Sequence, residues 1–481
     1  MRLSTTLLWL VAWVSLALSS IASAQPDARP NVLFIAIDDL RNQLGCYGDS
    51  RMVTPHIDRL AEKGVLFQQH YVSQPICVAS RAALLTSLRA ERTQGNSGWA
   101  KVPGVQTIGR TFGDSGYFTA ALGKIWHLAG GRFKKEVLDR FDVEWTRPLA
   151  SRYGDPQLSA IWESENQNTK QKKGKLPAAE KPLDLPDEAY GDGLLAQESI
   201  AVLNQAADSG KPFLLMVGFY KPHLPFNAPK KYWDLYDPND LPGTPDLETL
   251  PEDASSFQLR KKHDLWGYQE GFTFKNPPAG EAARDLRHGY AACISFVDAQ
   301  VGKVLAELDR LALTDNTIVV LWSDHGYQLG HLGSWTKLTN FEMTAGSPLI
   351  ISAPGFARGS RTKKIVESVD LFPTLVDLCG LDELEITDGV TLRPLLEDPQ
   401  SREWTEPAFH AVNRGGKVGH AVRDARYRYI EWRSGWGQEG KVLEVELYDF
   451  QKFPEERVNV AANPEYQGER ERLAQLLWTW E

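Results

Sequence analysis

Apolar residues in this chain gather into short continuous runs, separated by stretches where they recur every three or four positions. The first run, Asn31 to Ile37 (NVLFIAI), ends abruptly in Asp38-Asp39. Similar runs are Tyr117 to Leu122, Phe213 to Phe219, Thr317 to Trp322 and Pro348 to Ser352. Short runs with no polar face predict strands of a parallel sheet covered on both sides. Between them the spacing is helical over His56 to Lys63 (closed by Gly64), Arg81 to Leu88, Asp192 to Ala207 and about Arg284 to Leu308. In the last of these, Leu286, Tyr290, Cys293, Val297, Val301, Val304 and Leu308 share one face. The alternation predicts a doubly wound α/β fold with a mostly parallel sheet. Two irregular stretches, Arg147 to Pro186 and Asp237 to Pro278, interrupt it. Long connections in a compact domain are often functional rims. After about residue 398 the texture changes. Ala421 to Trp432 and Val445 to Phe450 read as antiparallel strands, and Pro464 to Trp480 as a final amphipathic helix.

The chain starts differently. Met1 and Arg2 precede an almost wholly apolar stretch, Leu7 to Leu18, and Ala22-Ser23-Ala24 supplies small residues before Gln25. This reads as a secretory signal peptide over residues 1–24 rather than a membrane anchor, because the apolar stretch is too short and lacks a stop-transfer flank. The expectation is an exported protein, periplasmic or extracellular, with no stable membrane insertion.

Composition adds two constraints. Apolar residues at 42% and charged residues at 24% exclude a disordered or collagen-like chain. A net charge of −9 argues against nucleic acid as a partner. The four cysteines, Cys46, Cys77, Cys293 and Cys379, would permit two disulfides but form no close-spaced framework. Cys293 and Cys379 read as buried free thiols.

Chemistry enters at the strand ends, where ligands bind in open α/β sheets. Asp38-Asp39 follows one strand and Asp324-His325 another. Three carboxylates gathered there would repel unless a cation neutralised them, and oxygen-rich sites suit Ca²⁺ or Mg²⁺. Solvated loop acids or helix caps are the alternative. Cys77-Val78-Ala79-Ser80-Arg81 runs straight into a helix, whose N-terminal amides favour an anion or a nucleophile.

That last segment resembles the signature of type I sulfatases, whose cysteine is converted to formylglycine. Other blocks resemble the family in order along the chain. They are Gly116-Tyr117-Phe118-Thr119 with Gly123-Lys124-Ile125-Trp126-His127, Lys221-Pro222-His223, Asp324-His325-Gly326, Trp335-Thr336-Lys337 and Asp388-Gly389-Val390-Thr391-Leu392. Leu447-Tyr448-Asp449 with Pro454-Glu455-Glu456 and Asn459 is similar to the closing block. The spacing of Lys124 to His127 and the stretch Arg426 to Tyr429 resemble the iduronate-2-sulfatase-like branch. Ala345-Gly346-Ser347-Pro348 departs from the family by lacking a basic residue, and Phe453 stands where an Asp is usual.

The resemblance implies an alkaline-phosphatase-like fold, with a catalytic domain over 25–398 and a smaller α+β C-terminal subdomain over 399–481. It implies one Ca²⁺ (Mg²⁺ as the alternative) held by Asp38, Asp39, Asp324 and His325 beside Cys77. It implies formylglycine made from Cys77 by a formylglycine-generating enzyme. In that scheme Arg81 steadies the nucleophile, His127 is a base and His223 protonates the leaving oxygen. Lys124 and Lys337 bind the sulfate. The expected substrate is a sulfated carbohydrate, a uronate-containing polysaccharide fragment. Two other readings stay open at this point: a phosphonate or phosphate monoester hydrolase of the same fold, and a non-catalytic glycan-binding protein in which Cys77 remains a thiol.

Overall fold

The computed structural model describes residues 29–95, 98–127, 147–150, 177–179, 182–241, 249–260, 264–268 and 270–480. The leader expected over 1–24 lies outside them, as does most of the irregular stretch from Arg147 to Pro186. The strands of the main body are β1 (Asn31–Ile37), β2 (Val65–Tyr71), β3 (Phe118–Gly123), β4 (Arg147–Ala150), β5 (Phe213–Phe219), β6 (Thr317–Ser323), β7 (Gln328–Leu329), β8 (Trp335–Thr336), β9 (Leu349–Ser352) and β10 (Ser360–Glu367). The principal helices are α1 (Pro55–Lys63), α2 (Cys77–Thr86), α3 (Ile108–Asp114), α4 (Gly191–Asp208), α5 (Gly280–Arg310) and α6 (Leu371–Leu378), with α7 (Gln467–Leu476) near the C-terminus.

Eight strands form one sheet in the order β10-β2-β9-β6-β1-β5-β3-β4. β1 lies at its centre, parallel to both neighbours, with Ile37 paired to Phe219 of β5 and to Ser323 of β6. Successive side chains of β1 enter opposite cores. Leu33, Ile35 and Ile37 pack with α1, α4 and α5, while Val32, Phe34 and Ala36 pack with α2, α3 and α6. Burial on both faces is why β1 is apolar without a break from Val32 to Ile37. The described architecture is the expected alkaline-phosphatase-like one.

Three details differ from the sequence pattern. The run Pro348 to Ser352 forms β9, which is antiparallel to β6 and β2. No long crossover helix separates β6 from β9, so the chain re-enters the sheet from the end it left. β2 and β10 were not legible as apolar runs, because Gln68 and Gln69 and then Arg361, Lys363 and Lys364 break them. The stretch Ala421 to Trp432 is two strands rather than one.

Those two strands belong to a smaller antiparallel sheet: β11 (Ala408–Asn413), β12 (Val418–Arg423), β13 (Tyr427–Arg433) and β14 (Val442–Asp449). Asp424 makes the turn between β12 and β13 by accepting the Arg426 and Tyr427 amides at 2.9 and 2.7 Å. The helix expected over Pro464 to Trp480 is α7 preceded by a short 3₁₀ turn, and Leu473 and Leu477 seat it on Tyr429 and Leu447. Buried Arg428 of β13 ties this sheet to the main body through Glu342 at 2.6 Å and through Glu456. All four cysteines are buried and free, so none of the permitted disulfides forms.

His70 of β2 is fully buried, with Nδ1 3.0 Å from the Ser347 carbonyl oxygen and Nε2 3.0 Å from the Ser368 hydroxyl. Burial holds its pKa down at about 4 from the ordinary 6.5. The unfolded chain therefore binds the proton first as pH falls, and the neutral fold loses stability between those values. Unfolding free energy should drop by about 3 kcal/mol as pH falls from 6.5 towards 4 through this residue alone. His70→Asn should flatten that part of the profile in urea unfolding. An unchanged slope would contradict the account.

Candidate active site

Four adjacent strands deliver the first set of side chains at their carboxyl ends. β6 leads into Asp324 and His325, β1 into Asp38 and Asp39, β5 into His223 and β3 into Lys124. The register fixes their proximity: the Asp38 amide donates to the Phe219 carbonyl at 3.2 Å and the Asp324 amide to the Ile37 carbonyl at 3.3 Å. A close approach of β3 to β5 brings Lys124 in. Gly123 has φ +66°, and a Cβ on Gly218 would sit 2.3 Å from the Lys124 backbone. Only glycines fit there. The turn after β1 is pinned from α5, where the Tyr290 hydroxyl donates to the Asp39 carbonyl at 2.7 Å and accepts the Arg41 amide at 3.1 Å.

The second set comes from α2 and from the segment after β8. Cys77 is the first residue of α2 and Arg81 lies one turn on. The Cys77 sulfur is 3.2 Å from Lys337 Nζ and 3.3 Å from His325 Nε2. Arg81 donates to Asp324 at 2.9 Å and reaches Asp38 at 3.5 Å. Lys124 pairs with Asp38, and Lys337 with Asp39 at 2.6 Å. Three carboxylates thus face three cations, all six side chains buried. Asp38, Asp324, Arg81 and His325 are fully buried.

Electrostatics follow from that packing. Burial raises the Asp38 carboxyl, but Lys124, His223 and Arg81 together outweigh it and hold it well below the usual carboxylate range. For Asp324 burial wins over Arg81 and its pKa is raised. Burial, reinforced by Asp38, pushes the Cys77 thiol well up. Burial and then Lys124 depress His127 strongly, keeping its imidazole neutral, and its buried Nδ1 has no hydrogen-bond partner among the described residues. Burial also lowers His223, opposed first by Asp39 at 3.9 Å. The His223 side chain keeps 27% exposure, so it stands on the open side of the cluster.

The residues fit a hard divalent cation. Donor atoms of Asp38, Cys77, Asp324 and His325 lie within 4.8 Å of one another, and the same holds for Asp38, Asp39, Cys77 and His223. His325 places Nδ1 2.9 Å from the Gly326 carbonyl, which leaves Nε2 as the bare nitrogen. That nitrogen lies 3.3 Å from Asp39 and 3.7 Å from Asp324, a crowd of lone pairs that a cation relieves. Every site residue singled out from the sequence therefore falls in this one neighbourhood. Asp264, 3.7 Å from Lys337 Nζ, was missed. It comes from the irregular stretch Asp237 to Pro278, where a lone acid gives no spacing signal.

An alkaline-phosphatase-like sheet with buried acids and bases at its strand ends is the frame of a hydrolase of anionic esters. The Sulfatase family model matches residues 30–381, and the model for the C-terminal part of N-sulphoglucosamine sulphohydrolase matches residues 330–481. Iduronate 2-sulfatase of Mus musculus is 33% identical over 390 residues, covering 73% of this chain and 69% of the relative. The Homo sapiens enzyme is 32% identical over 417 residues, covering 77% and 74%. The chain belongs to the sulfatase family. Among solved structures, the phosphonate monoester hydrolase of Agrobacterium radiobacter shares the fold with a TM-score of 0.75 at 23% identity, covering 94% of this chain and 95% of that one. BT4656, in complex with D-glucosamine-2-N,6-O-disulfate, shares it with a TM-score of 0.72 at 22% identity, covering 93% and 97%.

Arg81 is the cation that two buried carboxylates share. Arg81→Met should cost about 3 kcal/mol or more in urea unfolding of protein stripped of divalent ions, because it strands those charges. A loss under about 1 kcal/mol would contradict the pairing.

Proposed function

We propose that this chain is an exported, calcium-dependent sulfatase that removes sulfate from a sulfated, uronate-containing carbohydrate, with Cys77 oxidised to formylglycine. Iduronate 2-sulfatase is the relative that suggests the sugar class. The observation that carries the reading is the setting of Cys77. Its sulfur is at the buried end of a helix, 3.2 Å from a lysine and within 4.8 Å of donor atoms of Asp38, Asp39 and His223.

Sulfuryl transfer, like phosphoryl transfer, is largely a matter of positioning and charge. Formylglycine made from Cys77 would supply, once hydrated, one hydroxyl as nucleophile and a second whose deprotonation would allow sulfate to leave by elimination, an exit closed to serine or cysteine. Asp38, Asp39, Asp324 and His325 would hold calcium, which would supply polarisation of the sulfate oxygens when bound. The chain's own residues do the rest. Lys124 and Lys337 offer ammonium groups to the sulfate oxygens, in a dry site where such contacts are strong. Arg81 donates to Asp324, reaches Asp38 and fixes the direction of both carboxylates. Neutral His127 has a lone pair to offer as the base, with burial and Lys124 opposing its protonation until the anionic ester brings negative charge into the site. His223, on the open side with Asp39 behind it, is placed to protonate the oxygen of the departing sugar. The leaving group needs that side open, and the sulfate needs the other side closed.

A phosphonate or phosphate monoesterase on the same fold is separated by substrate. An aryl sulfate should be hydrolysed well above the matched aryl phosphate and phosphonate; the reverse order would overturn the sulfatase assignment. Mass spectrometry of natively produced protein should find the Cys77 peptide with an aldehyde in place of the thiol. Cys77→Ala should keep the circular dichroism spectrum and lose about 10³-fold or more in kcat. An intact thiol in natively produced protein would exclude formylglycine and favour the glycan-binding reading.

Calcium should raise the unfolding midpoint of chelator-treated protein, by linkage to the folded state. Asp324→Asn should abolish that rise. A midpoint indifferent to Ca²⁺ and Mg²⁺ alike would refute the metal assignment.

A further inference from the structure

Beside the reaction centre lies a cavity of about 850 Å³ whose lining has no acidic residue. In a chain of net charge −9 that is an unusual surface. Three cations line it: Arg260, Arg414 and Lys417. Among the described residues none of the three has a carboxylate within ion-pair distance. Arg414 instead donates to the backbone carbonyls of Phe257 at 2.9 Å, of Gln258 at 3.0 Å and of Leu338. Those bonds hold the guanidinium in place without cancelling its charge. Burial, and then the like charge of Arg260, push its pKa down to about 9, which still leaves it protonated at neutral pH. Lys417 is exposed and stands 4.3 Å from the centre of the Phe257 ring.

The cavity adjoins the site through the chain. Ile76 and Leu338 line it, and their chain neighbours Cys77 and Lys337 are in contact at 3.2 Å. Its walls are drawn from both parts of the fold. Residues 413–417 connect β11 to β12, and half-buried Trp436 lies between β13 and β14. Trp436 offers an aromatic wall for a sugar ring. Gln74 also lines the cavity, and its buried side-chain oxygen has no hydrogen-bond partner among the described residues, so it can take a sugar hydroxyl.

We propose that Arg260, Arg414 and Lys417, with Trp436, form a subsite for a second anionic group, carried by the sugar next to the one that loses sulfate. The reading rests on the sulfatase assignment and narrows it. The favoured substrate is an acidic oligosaccharide with two anions one sugar apart, rather than a monosulfated neutral sugar. Carboxylate and sulfate share the chemistry the cations recognise.

Calorimetry on full-length Cys77→Ala protein at fixed salt tests it with three disaccharides. The first joins a sulfated sugar to a uronate. The second has that carboxyl reduced to an alcohol. The third carries a sulfate in its place. The first and third should bind about ten-fold or more tighter than the second. Arg260→Gln with Lys417→Gln should collapse that preference. Arg414→Gln, made separately because this residue also braces Phe257 and Leu338, should do the same. The first and third probes rank carboxylate against sulfate. No preference over the reduced probe, or a preference that survives the double substitution, overturns the subsite. Aryl sulfate turnover by the wild-type protein reports on the sulfatase assignment separately. Absent turnover with an intact binding preference would sink that assignment and leave the subsite standing.

Discussion

Three carboxylates meeting in a dry pocket set the terms for everything around them. Asp38, Asp39 and Asp324 are forced together because β1 and β6 are adjacent, parallel and in register at Ile37 and Ser323. Buried charges of one sign are tolerated only when opposite charge stands within a few ångströms. The fold meets that demand from three directions, with Arg81 from α2, Lys124 from β3 and Lys337 from the segment after β8. Each cation also has a site role available to it. The same attraction that lets the pocket fold therefore places the groups that would grip an anionic ester.

The central part of this was legible from the chain. A strand apolar on both faces that stops at Asp38-Asp39, and another that stops at Asp324-His325, point to one sheet edge without any help from resemblance. Lys124, His127, His223 and Lys337 are different. They sit in loops where a single lysine or histidine carries no periodic signal, and only resemblance singled them out. The direction of β9 was not readable, because an apolar run reports burial and says nothing of which way the strand points. Cys77 could be placed before a helix, but its distance to Lys337 depends on chain folding over 260 positions.

Several blocks that carried the resemblance turn out to hold the molecule together away from the reaction centre. Arg428 joins β13 to Glu342 and Glu456, and Arg426 pairs with Asp449 at 2.7 Å. Asp388 accepts the Arg89 amide at 2.8 Å and pairs with Arg92 at 2.6 Å, which steadies the chain beyond α2. Of these contacts, Arg428 to Glu342 fixes the smaller sheet against the main body, and the others brace each part within itself. That matters for function because the walls beside the reaction centre come from both. A motif can mark a site or the frame that holds it, and only the three-dimensional arrangement separates the two.

Charge counting shows where selectivity must come from. Three acids against three bases leave the pocket neutral, and a bound divalent ion would leave it at about +2. A sulfate monoester and a phosphonate monoester each carry one negative charge, so both leave the same sum. The reaction centre is thus poorly equipped to tell them apart by net charge. Discrimination between substrates then falls to contacts away from the reacting atoms, where a hydrogen bond or ion pair is either made or left wanting. The cationic cavity at Arg260, Arg414 and Lys417 is such a place, and its residues come from an irregular stretch and a hairpin loop. Loops on a rigid scaffold are where specificity can change without disturbing the buried charges beneath.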